Sequence, residues 1–175
     1  MGTGRSAGDF EEFAVSRHRA LFRYAYLLVG ERGLAEDLVQ EALTKTYVGW
    51  HRLRDSANAE AYTRKAITTT AIGWYRRKAW HAERPRDDVP ELPARAAADD
   101  ATARIWLWEE LGQLPPRQRA ALVLRYYEDL TEAETARILG CSVGTVKSQT
   151  SHALKKLRAR LGPDAELTIE LVVAQ

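Results

Sequence analysis

Apolar residues recur at helical spacing along most of the chain, and the places where the spacing fails divide it. Phe10, Phe13, Ala14, Leu21, Ala25 and Leu28 fall on one stripe, ended near Gly30. Leu34, Leu38, Val39, Ala42 and Tyr47 make a second, from about Gly33 to Trp50. Tyr62, Ala66, Ile67, Thr70, Ala71 and Trp74 make a third, from about Asn58 to Trp80. The β-branched run Ile67-Thr68-Thr69-Thr70 is a poor local helix former, but the amphipathic spacing continues through it, so the helix is predicted to continue too. Strand signals are nearly absent.

The pattern then stops. No proline precedes Pro85, whereas Pro85, Pro90 and Pro93 fall among Asp87, Asp88, Glu91, Asp99 and Asp100 in His81–Thr102, which reads as an exposed acidic linker. Beyond it, Ala103–Leu111 is predicted as helix, and Pro115-Pro116 sits where a first helical turn can use the missing donor. That next helix carries Ala120, Leu122, Val123, Leu124 and Tyr127. Thr131-Glu132-Ala133-Glu134 spells a capping box that opens a short helix ending at Leu139-Gly140. Ser142 caps a last helix, Val143–Arg160, with Val146, Thr150, Ala153 and Leu157 inward. The expected fold class is all-α. Two small helical domains, residues 9–80 and 103–161, are joined by a flexible linker, residues 81–102, and followed by a tail, residues 162–175, to which no role is assigned.

Composition narrows the function classes. At 175 residues with 45% hydrophobic and 29% charged positions, the chain is expected to fold around a core rather than remain disordered. Its one cysteine, Cys141, cannot form an internal disulfide or a multi-cysteine metal site, so a reducing compartment is expected. No signal peptide or membrane span is read, so a cytoplasmic location without membrane contact is expected. His18, His51, His81 and His152 are scattered without metal-ligand spacing, and no glycine-rich phosphate loop occurs. No cofactor, metal or catalytic residue is therefore expected, and the chain is not read as an enzyme.

Charge becomes informative once it is divided. Residues 1–80 carry 13 Lys/Arg against 9 Asp/Glu, residues 81–103 carry 3 against 6, and residues 104–175 carry 10 against 9. Arg64, Lys65, Arg76, Arg77 and Lys78 lie in an acid-free stretch from Ala61 to Ala82, and Lys147, Lys155, Lys156, Arg158 and Arg160 in another from Ile138 to Gly162. Two basic surfaces flanking an acidic strap suggest two contacts with a polyanion.

A short helix, a Gly140-Cys141-Ser142 turn and a longer basic helix make a helix-turn-helix signature. With Val146, Ala153 and Leu157 inward, Lys147, Ser148, Ser151 and His152 point away near the start of the second helix, the face that enters a major groove. Lys155, Lys156 and Arg158 suit the phosphate backbone better. In the first domain, Tyr62, Trp74, Tyr75 and Trp80 interleave with Arg64, Lys65, Arg76 and Arg77, a mixture that suits single strands but equally suits core packing. Asp37, Gln40 and Glu41 lie on the outside of the second helix, facing a basic partner or water.

The strings Ala35-Glu36-Asp37-Leu38-Val39-Gln40-Glu41, Leu114-Pro115-Pro116-Arg117-Gln118-Arg119 and Leu139-Gly140-Cys141-Ser142-Val143-Gly144-Thr145-Val146-Lys147-Ser148 resemble a bacterial sigma factor of the extracytoplasmic-function group within the sigma-70 family, in the style of the actinobacterial SigE-type subgroup. The resemblance runs from about Phe10 to Leu161. It implies a factor directing promoter-specific transcription initiation, with core RNA polymerase (clamp and flap) and promoter DNA, duplex and single-stranded, as partners. Asp37, Gln40 and Glu41 would then meet the polymerase, and the loop His51–Ala59 would hold a flipped base. Asn58, Tyr62, Arg64, Lys65, Trp74, Arg76 and Arg77 would handle the −10 element. Thr145, Lys147, Ser148, Gln149, Ser151, His152, Lys155 and Lys156 would meet the −35 duplex. The linker would thread the RNA exit path, and an anti-sigma protein joins the implied partners. Gln149 and His152 stand where many relatives carry arginine, and Thr69 and Gly73 replace an asparagine and an aspartate common in the third helix, so promoter sequences are not carried over. The competing reading is a helix-turn-helix regulator acting alone.

Overall fold

The structure is a computed structural model, and it describes residues 6–53, 55–81 and 109–162, with side chains described to Arg77 in the first of the two halves. The first half is three helices: α1 (Ala7–Val29), α2 (Arg32–Val48) and α3 (Ser56–His81), with a 3₁₀ turn, Trp50–Arg52, between the last two. The second half opens with a helical turn at residues 109–112. It continues with α4 (Pro116–Leu122), a π-helical turn (Val123–Tyr127), α5 (Glu132–Leu139) and α6 (Val143–Leu161). The expected linker and tail, and the start of the helix expected at Ala103–Leu111, lie outside the described residues. Described structure is helical throughout, and among the described residues no helix is long and apolar enough to cross a membrane.

Local chemistry sets the boundaries. Ser6 and Asp9 exchange hydrogen bonds at the start of α1, and Gly30 ends it at φ 69, a conformation that costs glycine nothing. Pro116 opens α4. The threonines of α3 return their hydroxyls to the helix: Thr63 Oγ1 donates to the Ala59 carbonyl at 2.7 Å, Thr68 to Arg64 at 2.9 Å and Thr69 to Lys65 at 2.9 Å. Such back-bonding satisfies a polar group inside a packed helix, which is how the β-branched run survives there. Buried Thr46 on α2 meets Thr63 on α3, oxygen to oxygen, at 2.8 Å. Tyr24 on α1 shares a 2.5 Å hydrogen bond with Thr68, and burial pushes its phenol well above the usual range.

Apolar residues from both halves form one continuous core. Leu21, Leu28, Leu38 and Ile67 join Leu122, Leu124, Val146 and Leu157 in a single buried cluster. A smaller cluster of Phe13, Trp50 and Ala59, with Phe10 packed on it, pins the turn between α2 and α3, and the Trp50 indole N–H donates to the Ser6 carbonyl at 3.1 Å. Periodicity within each half does not reveal that the halves pack together. Arg119 on α4 shows how closely they do: 4% exposed, it donates to the Leu28 carbonyl at the end of α1 at 2.7 Å.

Candidate nucleic-acid interface

The helix-turn-helix is built by two caps and a glycine. Thr131 and Glu134 bond reciprocally across the first turn of α5: the Thr131 N–H donates to Glu134 at 2.8 Å, and the Glu134 N–H to Thr131 Oγ1 at 3.2 Å. Thr131's hydroxyl and backbone bonds hold the Glu134 carboxyl below its ordinary value. Gly140 turns the chain at φ 62, and Ser142 accepts from the Thr145 N–H at 3.1 Å to start α6. Val146, Ala153 and Leu157 are fully buried, which fixes the rotation of α6 about its axis.

With about 100° per residue, that rotation puts Gly144, Lys147, Ser148, Ser151, Lys155 and Arg158 on one outward stripe. All are exposed. His152 is exposed at its edge, while Thr145, Gln149 and Lys156 lie on the flank, the first two half-buried. Lys147 Nζ lies 3.6 Å from Glu132 on α5, so the stripe's first cation is already paired. Ser148 donates to the Thr145 carbonyl at 2.9 Å and keeps its lone pairs outward.

On α3 the same geometry sorts the candidates. Asn58, Tyr62, Lys65, Thr69 and Arg76 form one exposed stripe about 60° wide, with exposed Arg77 beside it. Asp55 holds the top of this stripe, accepting from the Asn58 N–H at 2.7 Å. Trp74 and Arg64 do not join it. Trp74 lies about 160° away and is packed on the core, and Arg64 about 120° away, facing the second half of the chain. The aromatic-basic mixture therefore separates into a surface and a core. Trp80 and Lys78 lie outside the described side chains.

On α2, Asp37 and Gln40 are exposed, followed on the same stripe by Thr44 and by Val48, 72% exposed. Glu41 is half-buried and already engaged, with Lys45 Nζ at 2.7 Å. The exposed apolar end of this stripe, Val48 with neighbouring Tyr47, was not picked out by periodicity, which placed Tyr47 on the apolar stripe although the structure leaves it 52% exposed. His18, His51 and His152 are exposed, Cys141 is a half-buried free thiol, and no metal-holding cluster occurs among the described residues.

Two family patterns match this chain: sigma-70 region 2 over residues 14–81, and sigma-70, region 4 over residues 104–157. The RNA polymerase sigma-E factor of Streptomyces coelicolor is 39% identical over 157 residues, covering 87% of this chain and 86% of that protein. The chain belongs to the sigma-70 family. The ECF RNA polymerase sigma factor SigM of Mycobacterium tuberculosis is 31% identical, over 89% of this sigma factor and 80% of its own length. A solved structure, the sigma factor RpoE in complex with the anti-sigma factor NepR from Bartonella quintana, matches with a TM-score of 0.68 at 25% identity, over 90% of this chain and 99% of that one. The protein is thus an extracytoplasmic-function RNA polymerase sigma factor, a non-enzymatic initiation factor. A stand-alone regulator would leave the region 2 match unexplained.

Proposed function

We propose that the three exposed stripes divide the work of initiation. The α6 stripe of Lys147, Ser148 and Ser151, with His152 at its edge, enters the major groove of the −35 duplex, and Lys155 and Lys156 meet phosphates. The α3 stripe of Asn58, Tyr62, Lys65 and Arg76, with Arg77 beside it, receives the −10 strand: an aromatic face and cations on one exposed surface suit unstacked bases and their phosphates. The turn His51–Ala59 holds the extruded base. Asp37 and Gln40 on α2, with Val48 beyond them, dock on the polymerase.

The observation that carries this reading is the rotation of α6, which buries Val146, Ala153 and Leu157 and leaves the polar stripe outward. On this reading the −10 domain is residues 9–80, the −35 domain residues 103–161, and 81–102 the linker between them. The factor works in the cytoplasm, where the polymerase is, and an anti-sigma protein is a partner by analogy with the RpoE–NepR complex. Transcription reconstituted with core polymerase on genomic fragments tests the assignment. Defined start sites that need the added factor support it, and starts unchanged by the factor overturn it.

A further inference from the structure

The far end of α6 carries a cleft to which the functional reading gives no role. Glu110, in the helical turn at residues 109–112, has a side chain 2% exposed and meets Arg160 Nη1 on α6 at 3.0 Å. Gln113 and Leu114 close that turn, donating to the Glu110 and Leu111 carbonyls at 3.2 and 3.1 Å. The ion pair holds the turn beside α6, and between them opens a cleft of about 230 Å³. Buried Leu114 and Leu157 form its floor, and exposed Lys156 and Arg160, with apolar stems and charged heads, line its rim. Small-molecule sites run to roughly 300–1,000 Å³, so this smaller space suits aliphatic side chains of a chain segment.

The chain leaves α6 beside this cleft. Gly162 caps the helix at φ 91, a conformation that glycine adopts without strain, and its N–H donates to the Arg158 carbonyl at 2.9 Å. Pro163 follows and has no N–H with which to carry the helix on. Lys156 lies six residues before Gly162, about 9 Å back along the helix, a span that three extended residues cover.

Residues 163–175 match the cleft in charge and in pattern. They hold Asp164, Glu166 and Glu170 and no Lys, Arg or His, whereas the end of α6 carries Lys155, Lys156, Arg158 and Arg160 and no acid. Leu167, Ile169 and Leu171 alternate with Glu166, Thr168 and Glu170, the two-residue period of an extended segment with one apolar and one polar face.

We propose that the tail turns back at Gly162-Pro163 and lies extended along the cleft, with Leu167 and Ile169 seated in it and Glu166 and Glu170 outward beside Lys156. Those carboxylates then compete with DNA phosphates for Lys156, so the chain limits its own sequence-independent grip on a duplex while Lys155, on the outward stripe, is left to DNA. The docking needs no functional assignment, whereas its effect on DNA rests on the reading of α6 as the duplex-binding face.

The test uses the full chain with spin labels at Gly112→Cys and Thr168→Cys in a Cys141→Ser background. Gly112 is exposed with open space where a Cβ would stand, and Thr168 is on the polar face of the tail. One short distance is expected. Leu167→Ser with Ile169→Ser removes the apolar anchors and keeps the acids, so the distance should lengthen and broaden. The same release should raise the slope of log affinity against log salt by up to about 0.9, one phosphate contact, on a fluorescent duplex of arbitrary sequence. Glu166→Gln with Glu170→Gln should raise the slope equally while keeping the short distance, and neither rise should occur once Lys156→Gln is added. A broad distribution in the parent, or a short one that the serine variant leaves unmoved, overturns the docking. A slope unchanged by release overturns the competition for Lys156. If no variant binds the duplex while the distances behave as expected, the docking stands and the reading of α6 fails.

Discussion

Lys147 Nζ sits 3.6 Å from Glu132 Oε2, which joins the two helices of the helix-turn-helix through a residue proposed to enter the groove. Lys147 is exposed and Glu132 half-buried, with the pair open to solvent, so it contributes at most about 1 kcal/mol to stability and yields readily to DNA. Glu132→Gln is expected to leave the melting temperature nearly unchanged and to tighten −35 duplex binding. Lys147→Ala should weaken binding to a cognate −35 duplex by about 1–3 kcal/mol, with a much smaller loss on a scrambled duplex. Fluorescence anisotropy on the two duplexes checks this. Equal losses on both would remove Lys147 from base readout.

Lys155 and Lys156 lie one to two turns beyond the proposed readers, exposed and without an ion-pair partner among the described residues. A phosphate contact adds roughly 0.9 to the slope of log affinity against log salt. Neutralising both as glutamine should therefore lower that slope by up to about 1.8 and weaken cognate and scrambled duplexes alike. Lys156, on the flank of the stripe, should account for the smaller share. A salt titration of each single variant separates the two.

The rotation of α6 was legible in the sequence, because the spacing of Val146, Ala153 and Leu157 is a property of one helix and needs no partner to be read, whereas Leu34, Tyr47 and Tyr62, read as members of the apolar stripes of α2 and α3, are exposed because they lie off the faces that meet neighbouring elements. The same holds for the caps at Thr131 and Ser142, whose partners lie three residues away. What the spacing could not show was which surfaces a second unit would cover. Arg64 and Lys65 are neighbours with the same chemistry, yet the 100° between them sends one to Glu128 and the other to solvent. The π-helical turn was illegible for a related reason: Val123–Tyr127 reads as ordinary apolar helix, and only the docking of Glu128 and Leu130 beyond it shows the extra residue. Trp74 illustrates the limit of composition, since a tryptophan among arginines fits a stacking surface and a core equally until its angle on α3 is known.

Asp37 is exposed on α2 and makes no intramolecular ion pair among the described residues, so its charge is not needed by the fold. Asp37→Arg should change stability by no more than about 0.5 kcal/mol. The same substitution should abolish co-purification with core polymerase, because a cation replaces an anion at the proposed contact. Val48→Ser, on the same stripe and 72% exposed, should weaken the complex without altering the melting temperature. Undiminished polymerase binding by both variants would take this face of α2 out of the interface.

Thr131 and Glu134 tie α5 to a pH dependence whose sign follows from their bonds. The Thr131 hydroxyl lies 2.6 Å from Glu134 Oε2, and this bond with the backbone bond lowers the carboxyl's titration point in the folded chain. A carboxyl depressed on folding stabilises above its unfolded-state pKa, and that stabilisation is lost as pH falls through the lowered value. Thr131→Ala removes the cap, so urea melts near neutral pH should show a loss of about 1 kcal/mol. Acidification below the carboxylate range should shrink the difference between parent and variant, because the protonated Glu134 no longer accepts as strongly from the Thr131 hydroxyl, the bond the variant lacks, whereas the N–H bond is common to both. A difference that stayed constant on acidification would mean that Thr131 acts through its own bond to the Glu134 N–H alone.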